Sequence, residues 1–445
     1  MARAARRAGR QAPDPGLRLV VFGAALLAAC ANQGAPPGGP PDTAPPGIVS
    51  VRPESGAVAP DWKGDAVIQF DEVIDEMPGT GGAGITGLAR QVLLSPVVGD
   101  VRVGWGRSSI HVKPKEGWKG GRVYHLELLP GIVDLRRNTL KKGRLIVFST
   151  GPAIGHAALT GTTLQWVEQR SLVGALIEAV PLPDSVGYLT QSDSIGHFHL
   201  DALPAGRYIV YATVAQNNNR RRDRREAYDS AAVTLDSVAA ATLFTFVHDT
   251  TGPRLRTATA VDSVTVRLEF SQALAPGGGG GAPLDTARVH ALQLPDSTPV
   301  AIAAIFTPPQ YDSVAAEARK AAKPDTARRD SSAARQPDTT RAGGAPRAAG
   351  ARGAAARGDT AAAPKDTSEV RRLLAQRPVP FDKVVLRFAR PLAPETRFLI
   401  RVRGAVNLNG ATGDGQVGLL TPKTPPPPPA KSDTTHHAPR TPPPS

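Results

Sequence analysis

The chain has 445 residues, with 53 Lys and Arg against 39 Asp and Glu, a formal net charge of +14. This is about three times the commonest domain size, so the length disfavours a single compact fold. One cysteine excludes intrachain disulfides and cysteine-based zinc sites, which need at least two thiols. Gly and Pro form about a fifth of the residues and aromatic residues only 5%, a mixture that indicates small β domains joined by open linkers.

Residues 1–29 predict a secretory signal peptide. Arginines are frequent up to Arg18, and residues 17–29 are almost wholly apolar. At 1.5 Å per residue this run spans roughly 20 Å, too short for a hydrocarbon core of about 30 Å. The run ends in Leu27-Ala28-Ala29-Cys30. This ending resembles the lipobox of bacterial lipoproteins, in which cleavage before the cysteine leaves it as the lipid-modified first residue.

The resemblance implies lipidation of Cys30 and anchoring of the chain to a membrane through that lipid. Ala31 follows the cysteine where an Asp would imply the inner membrane, so the outer membrane is favoured. The alternative is a free cysteine at an ordinary signal cleavage site.

Residues 30–46 are rich in Gly and Pro and lack apolar periodicity, so we expect an extended tether. After it, short runs alternate between apolar and polar residues, as at 66–70, 101–105 and 123–128. A period of two, with Gly, Pro, Asp and Asn at the boundaries, predicts strands and turns. Regularly spaced short strands indicate an antiparallel sandwich over residues 47–151.

Several motifs of this segment follow one another in a familiar order. They are Asp42-Thr43-Ala44-Pro45-Pro46, Val67-Ile68-Gln69-Phe70-Asp71-Glu72-Val73 and Val133-Asp134-Leu135-Arg136-Arg137-Asn138. Together they resemble the SbsA-type bacterial Ig-like domain. The resemblance implies an Ig-like sandwich with a structural or binding role and without a catalytic site. Met77 to Gly87 departs from the compact pattern, and we expect an inserted loop there.

A second β unit is predicted at residues 155–248. It contains Gly196-His197-Phe198-His199-Leu200 and then Leu203-Pro204-Ala205-Gly206-Arg207-Tyr208. The Pro and Gly fix a tight turn before a strand whose Tyr can pack inward. These motifs resemble the carboxypeptidase-regulatory-like, transthyretin-like sandwich. That family is a non-catalytic appendage, so the resemblance implies no peptidase activity.

Residues 249–422 echo the first unit, since Asp249-Thr250-Thr251-Gly252-Pro253 repeats the Asp42 motif, and we expect a second Ig-like domain. It is interrupted at 308–378 by a segment rich in Ala, Arg, Asp and Pro. That segment is too poor in apolar residues to offset its ordering entropy, which predicts a disordered insertion with at most a short helix at Val370 to Gln376. The tail, 423–445, should be disordered and polyproline-like.

Much of the positive charge lies in the insertion, where Glu317 to Arg377 holds fourteen Lys and Arg against seven Asp and Glu. Such a segment can associate with anionic lipids, acidic glycans or cell-wall polymers. Compositional drift explains it equally well. Nucleic acid is disfavoured, because the signal peptide indicates secretion and no aromatic residues interleave with the basic ones.

The most site-like cluster of the sequence is the polar run from Gln216 to Glu226. Asn217, Asn219, Asp223 and Glu226 fall at positions 3, 5, 9 and 12 of a calcium loop counted from Ala215. Position 1 is Ala and position 6 is Arg220, and the surrounding arginines should repel a divalent cation. We therefore expect no metal here and interpret the run as an exposed polar hairpin connection.

No catalytic constellation and no cofactor motif occurs, so the sequence predicts a protein that is not an enzyme. His197 and His199 share one strand face but do not complete a three-ligand zinc site, and an exposed face is the preferred interpretation. Acidic residues after the Phe70 strand are expected to be solvated turn residues. Core packing is preferred over glycan stacking for the four tryptophans, Trp62, Trp105, Trp118 and Trp166.

The sequence therefore predicts an all-β protein of tandem Ig-like and transthyretin-like β-sandwiches, lipid-anchored in the cell envelope. Its expected role is that of a non-catalytic structural or protein-interaction module, with other envelope proteins as partners. Two further hypotheses stay open at this point. One is a glycan- or cell-wall-binding accessory lipoprotein of a surface complex, and the other is a hydrolase whose active site the sequence disguises.

Overall fold

The structure is a computed structural model of the chain, and it describes residues 41–77, 85, 87–217, 219–223, 225–321 and 367–423. In this part of the chain almost every regular element is a β-strand, so the predicted all-β fold class is confirmed. The strands form three units in chain order, each with its own hydrophobic core. The predicted signal peptide, Cys30, residues 30–40 of the tether and nearly all of the tail lie outside the described residues.

The first unit is a sandwich of two antiparallel sheets. Its described strands are β1 (Ile48–Arg52), β2 (Ala66–Phe70), β3 (Val92–Ser95), β4 (Val101–Trp105), β5 (Ser109–Pro114), β6 (Val123–Leu128) and β7 (Arg144–Ser149). One sheet has the order β1-β2-β5-β4 and the other β3-β6-β7. Strand β2 shows the alternation that builds the core, because Ala66, Ile68 and Phe70 are buried while the residues between them are half-buried on the other face. Most of the loop from Met77 to Gly87 lies outside the described residues.

The second unit follows one path of hydrogen-bonded strands. These are β8 (Ala157–Gln165), β9 (Arg170–Ser171), β10 (Leu176–Pro181), β11 (Tyr188–Gln191), β12 (His197–Leu203), β13 (Gly206–Thr213), β14 (Ala227–Leu235) and β15 (Val238–Val247). The order is β11-β10-β13-β14-β15-β8-β12, with β9 beside β8, and β15 and β8 run parallel. Phe198 and Tyr208 are both buried in its core, so Tyr208 packs inward as its motif predicted.

The third unit has two antiparallel sheets around a core that includes Leu268, Val384 and Ile400. Its described strands are β16 (Leu255–Ala260), β17 (Thr265–Leu274), β18 (Val289–Gln293), β19 (Thr298–Val300), β20 (Ile302–Phe306), β21 (Phe381–Phe388), β22 (Arg397–Val406) and β23 (Thr412–Leu420). The sheet orders are β16-β17-β21-β20 and β19-β18-β22-β23. Strand β16 pairs with β17 through a register shift beside Phe270, as β1 pairs with β2 beside Phe70. The sequence echo therefore has a structural counterpart.

The two ends of the predicted disordered insertion are helical. They are helix α1 (Pro308–Ala321) and helix α2 (Thr367–Leu374). The sequence predicted disorder at both places, except for a short helix at Val370 to Gln376. The prediction was wrong at these ends because each helix has an anchor on a folded unit. The Tyr311 hydroxyl lies 3.3 Å from Asp262 Oδ2, and Leu373 and Leu374 are buried against the second unit. Residues 322–366 lie outside the described part.

In the described ranges, no helix combines the length and the apolar character needed to cross a membrane.

Candidate functional site at the junction of the first two units

The outer face of the sheet β3-β6-β7 packs against the second unit, and we call this contact the junction. Along β6, Tyr124, Leu126 and Leu128 point into the first core, so His125 and Glu127 point the other way. The ring of His125 is 1% exposed and lies 4.7 Å from the ring of Tyr188 in β11. At the same contact, the Leu189 backbone N–H donates to Ser95 Oγ over 2.9 Å. The face opposite the core is therefore buried too, by another unit of the chain.

Two titratable groups are enclosed in this junction. Burial lowers the pKa of His125 to about 4, against smaller opposing effects of the Ala202 backbone and of Asp201. Neither ring nitrogen has a partner with good hydrogen-bond geometry among the described residues. Burial raises the pKa of Glu127 to about 7, against the opposing effect of a hydrogen bond with Thr190. The junction therefore favours the neutral form of both side chains, because an uncompensated charge is costly where water is excluded.

Arg220 fastens the second unit to the first. We call residues 216–226 the Arg220 loop. The guanidinium of Arg220 donates to the carbonyl oxygens of Val92, Ala89 (2.5 Å) and Arg90 (2.9 Å). These groups lie at and just before β3, an edge strand whose outer side would otherwise be open. Burial lowers the pKa of Arg220 to about 10, so it still carries its charge near neutral pH.

The predicted calcium-loop residues shape this loop. The side-chain amides of Asn217 and Asn219 donate to Asp223 Oδ2 over 2.6 and 3.2 Å. The buried Glu226 accepts a hydrogen bond from the backbone N–H of Gln216 over 3.0 Å. The structure thus brings the four candidates together, with carboxylate oxygens of Asp223 and Glu226 engaged by donors of the loop itself.

The interpretation of the run as a simple exposed hairpin connection was wrong for Arg220. Its backbone adopts a left-handed φ of 57°, and its side chain turns into the junction. Arg221 and Arg222, next to it, are exposed. Sequence reasoning missed Arg220, because nothing in the sequence distinguishes it from Arg221 and Arg222. Only the folded first unit places carbonyl oxygens within its reach.

A charged network stands at the rim of the junction. Asp100 of the first unit accepts from Lys115 over 3.0 Å and from Arg221 of the second unit over 3.2 Å. The hydrogen bond from Lys115 holds the pKa of Asp100 below its ordinary value. All three side chains are well exposed, so the network fixes orientation more than it adds stability.

A cleft of about 600 Å³ opens beside the network. Its floor is apolar, and its rim carries the charged side chains of the Arg220 loop. The first unit contributes Leu94, Val97, Val101 and Val103 to the floor, and the second unit contributes Val186 and Leu189. Clefts between units are common ligand sites, and this volume lies within their usual range of roughly 300–1,000 Å³.

A second cluster of charged groups lies in the first unit. One carboxylate oxygen from each of Asp42, Glu72 and Asp134 lies within 4.8 Å of the other two, and these are the residues that could hold a metal. Burial, and then the neighbouring carboxylates, raise the pKa of Glu72. Burial would also raise the pKa of Asp134, but hydrogen bonds from Asn138 hold it below its ordinary value. Glu72 is therefore not the independent solvated turn residue that the sequence predicted.

The third unit has a less charged version of this cluster. Asn407 Oδ1 accepts from the backbone N–H groups two and four residues later, as Asp134 Oδ1 does. Asn407 Nδ2 donates to Gln272 Oε1 over 3.2 Å, and Gln272 lies two residues after Phe270 as Glu72 lies two residues after Phe70. Asn407 and Gln272 thus replace the carboxylates of Asp134 and Glu72. A hydrogen bond between two amides takes the place of the repulsion between two carboxylates.

The remaining predicted residues are dispersed. His199 is exposed beside Asp201, whereas His197 lies 3.8 Å from Glu369 of α2. Trp62 and Trp118 pack against the first core, and Trp166 packs beside Leu164 and Phe244. Trp105 is 41% exposed, so the expectation of core packing was wrong for this residue, which ends an edge strand.

Comparison with known proteins identifies the first unit. Residues 42–150 match the family described as bacterial Ig-like domain, about a quarter of the chain. The resemblance drawn from the sequence is therefore confirmed for this unit at that level. No curated protein matches the chain.

Solved structures show only a distant likeness. The major pilin subunit of Bacillus cereus is 12% identical with a TM-score of 0.17, over 45% of this chain and 70% of that one. A DUF3823 family protein from Parabacteroides merdae is 11% identical with a TM-score of 0.17, over 32% and 66%. Native alpha-2-macroglobulin from Escherichia coli is 11% identical with a TM-score of 0.17, over 57% and 84%. Values this low bear on neither ligand nor activity.

Proposed function

We propose that this chain is a lipid-anchored protein of the bacterial cell envelope, whose tandem β-sandwiches form a non-catalytic structural or protein-interaction module. The observation that supports this most is the junction, where Arg220 of one sandwich donates to three carbonyl groups of the other. A spacer or docking module needs a fixed geometry between its domains. Domains joined only by a linker would otherwise move relative to each other.

The anchor is proposed from the sequence alone. Cys30 follows a short apolar run and resembles the modified cysteine of lipoproteins, and Ala31 favours the outer membrane. The match to the bacterial Ig-like domain begins at residue 42, which leaves a short Gly- and Pro-rich tether between lipid and domain.

The second unit is proposed as a carboxypeptidase-regulatory-like sandwich. Support comes from its motif residues, since Phe198 and Leu200 are buried and the Tyr208 hydroxyl donates to Pro204 O over 2.7 Å. These contacts close the turn that the motif was expected to form. The third unit is proposed as an interrupted Ig-like domain, because its register shift and its Asn407 contacts repeat those of the first.

Glycan binding is a second candidate, and the exposure of Trp105 favours it. Trp105 is 41% exposed, and an exposed indole can stack on a sugar ring. Saturable binding on a glycan array that is lost in Trp105→Ala would establish this role. Indifference of the wild type to the array would remove it.

The anchor is tested by intact-mass analysis of the membrane fraction. The wild type should carry a lipid mass increment that Cys30→Ala lacks. An unmodified wild-type chain would overturn the anchor. Protease accessibility on whole cells then separates a surface-facing from a periplasm-facing protein.

The fixed geometry is tested with spin labels at Glu54→Cys and Asp236→Cys in a Cys30→Ala background, since both positions are exposed on different units. We expect a narrow distance distribution. It should broaden in Arg220→Ala and stay unchanged in Arg225→Ala, a matched control from the same loop that is exposed. A broad distribution in the parent chain would contradict a rigid module.

A further inference from the structure

The cleft beside the junction lies at an open side of the first sandwich. It lies between β3 and β4, the two edge strands on that side of the sandwich, and the second unit forms its outer wall. Val101 and Val103 line it and pack only partly against the first core. The cleft therefore gives access both to apolar side chains and to a strand edge.

The backbone of β4 is unpaired along this edge. Lys115 N donates to Asp100 O at one end of the β4–β5 ladder, and Gly106 N donates to Ser109 O at the other. Hydrogen-bonded and non-hydrogen-bonded pairs alternate in an antiparallel ladder, so the N–H and C=O groups of Val101 and Val103 point away from β5. Within the described residues β5 is the only strand that pairs with β4. The 3₁₀ turn Gly87–Gln91 also packs against β4, but none of its described backbone groups bonds to Val101 or Val103.

Cationic side chains surround the apolar floor. Lys115, Arg221 and Arg222 stand at the rim, and the Arg222 guanidinium lies 3.6 Å above the centre of the Tyr211 ring. Lys115 and Arg221 share one carboxylate, Asp100. Arg222 stacks on Tyr211, and the acidic group that it acts on in the cleft is Glu178.

Glu178 is the other acidic group of the cleft. Burial raises the pKa of this carboxyl and Arg222 opposes the shift, so its negative charge is both disfavoured and close to a cation. The cations around the cleft therefore outnumber the available anions, and the rim complements an acidic partner.

We propose that the cleft binds an extended peptide segment with alternating apolar and acidic residues, which adds to β4 as a further strand. The apolar side chains lie on the valine floor, and the acidic ones meet Lys115 and Arg222. Backbone hydrogen bonds to Val101 and Val103 provide affinity that does not depend on sequence, and the rim charges select the partner. The inference builds on the proposed interaction role and is independent of the lipid on Cys30.

The first test uses fluorescein-labelled peptides of alternating Asp-Val and alternating Lys-Val sequence with the purified full chain in detergent. In anisotropy titrations the Asp-Val peptide should bind at least about tenfold more tightly, and added salt should weaken it. Arg222→Glu and Lys115→Glu should each reduce this preference several-fold. Arg267→Glu, on an exposed position of the third unit, should leave it unchanged.

The second test locates the peptide by amide hydrogen exchange. Exchange at Val101 and Val103 should slow when the Asp-Val peptide binds, and alternate N-methylation of the peptide should abolish both the protection and the binding. Equal binding of both peptides, or no effect of Arg222→Glu, would overturn the proposal. Protection of Val101 and Val103 without peptide would also overturn it, because the edge would then not be free.

The lipid-mass and spin-label experiments have outcomes separate from these. If the chain is lipidated and rigid but binds neither peptide, the proposed peptide site is refuted and the proposed envelope module is not.

Discussion

The ring of His125 in the first unit lies 4.7 Å from the ring of Tyr188 in the second, and neither nitrogen of the imidazole finds a hydrogen-bond partner among the described residues. The imidazole is therefore buried without a well-formed hydrogen bond, although the Ala202 backbone and Asp201 act on it from nearby. Its polar atoms cost stability that a phenyl ring would not.

His125→Phe should stabilise the first unit at neutral pH by about 1–2 kcal/mol, the usual cost of an unsatisfied buried polar group. Burial lowers the pKa of His125 from 6.5 to about 4, so the unfolded chain binds a proton that the folded chain refuses. The wild type thus loses stability as pH falls from about 6.5 to 4, and the advantage of the variant should grow over that window.

Urea unfolding followed by tryptophan fluorescence measures this, because Trp62, Trp105 and Trp118 all lie in the first unit. Leu135→Phe, at an exposed and non-titratable position of the same unit, is the control and should not change the pH profile. A constant difference between His125→Phe and wild type across pH 4–6.5 would show that His125 titrates normally.

Glu127→Gln should act over the opposite range. Burial raises the pKa of Glu127 from 4.5 to about 7, so the folded chain holds a proton that the unfolded chain releases. Glu127 therefore contributes to the stability of the folded state at low pH, and this contribution is lost as pH rises from about 4.5 to 7. The variant should gain about 3 kcal/mol over wild type at pH 8 and match it near pH 4. The same fluorescence titration checks this, and a gain that is equal at both pH values would contradict it.

Glu72→Gln should stabilise the first unit by about 0.5 kcal/mol at pH 7, because the third unit shows an amide accepted at this position. Since the pKa of Glu72 is raised, the folded state favours its protonated form. The gain should therefore shrink as pH falls toward the ordinary carboxyl range. Thermal unfolding at several pH values measures it, with the exposed Glu54→Gln as control. A loss of stability in Glu72→Gln would show that the charge itself is needed.

Leu374→Ala should detach helix α2 from the second unit. Leu374 is buried against Leu164 and Phe244, and Arg377 lies over the Phe244 ring at 4.3 Å. A helix of eight residues is not stable alone, so losing this contact should free it locally without unfolding the sandwiches. Amide exchange in residues 367–377 should accelerate about tenfold, which corresponds to a local cost near 1.4 kcal/mol.

Gln376→Ala, exposed beside the same helix, should leave that exchange unchanged. Equal acceleration in both variants would mean that Leu374 does not anchor the helix.

Local patterns allowed much of the fold to be predicted. The alternation of Ala66, Ile68 and Phe70 determines which face of β2 is buried, since successive side chains of a strand point to opposite sides. The same local rules located the turn before Tyr208. The repeat of the Asp42 motif at Asp249 predicted a third unit like the first, and β16 pairs with β17 as β1 pairs with β2. The match of residues 42–150 to the bacterial Ig-like domain agrees with these assignments.

The errors have a common physical cause. Pro308–Ala321 and Thr367–Leu374 were predicted to be mostly disordered because few of their residues are apolar, yet Tyr311, Leu373 and Leu374 each find a partner far along the chain. Composition describes a segment by itself, whereas these helices are stabilised by surfaces of other units.

The sequence by itself determined the strands, the order of the units and the chemistry available at each position, because these follow from side-chain periodicity and turn residues. Only the tertiary structure decided that Arg220 reaches Val92, more than a hundred residues earlier, and that His125 and Glu127 are enclosed. It also decided that β4 is left with an open edge above an apolar floor. Such relationships depend on which surfaces meet after folding. The free-energy cost of a buried charge or an unpaired backbone group is set by that contact, because the contact decides whether water is excluded.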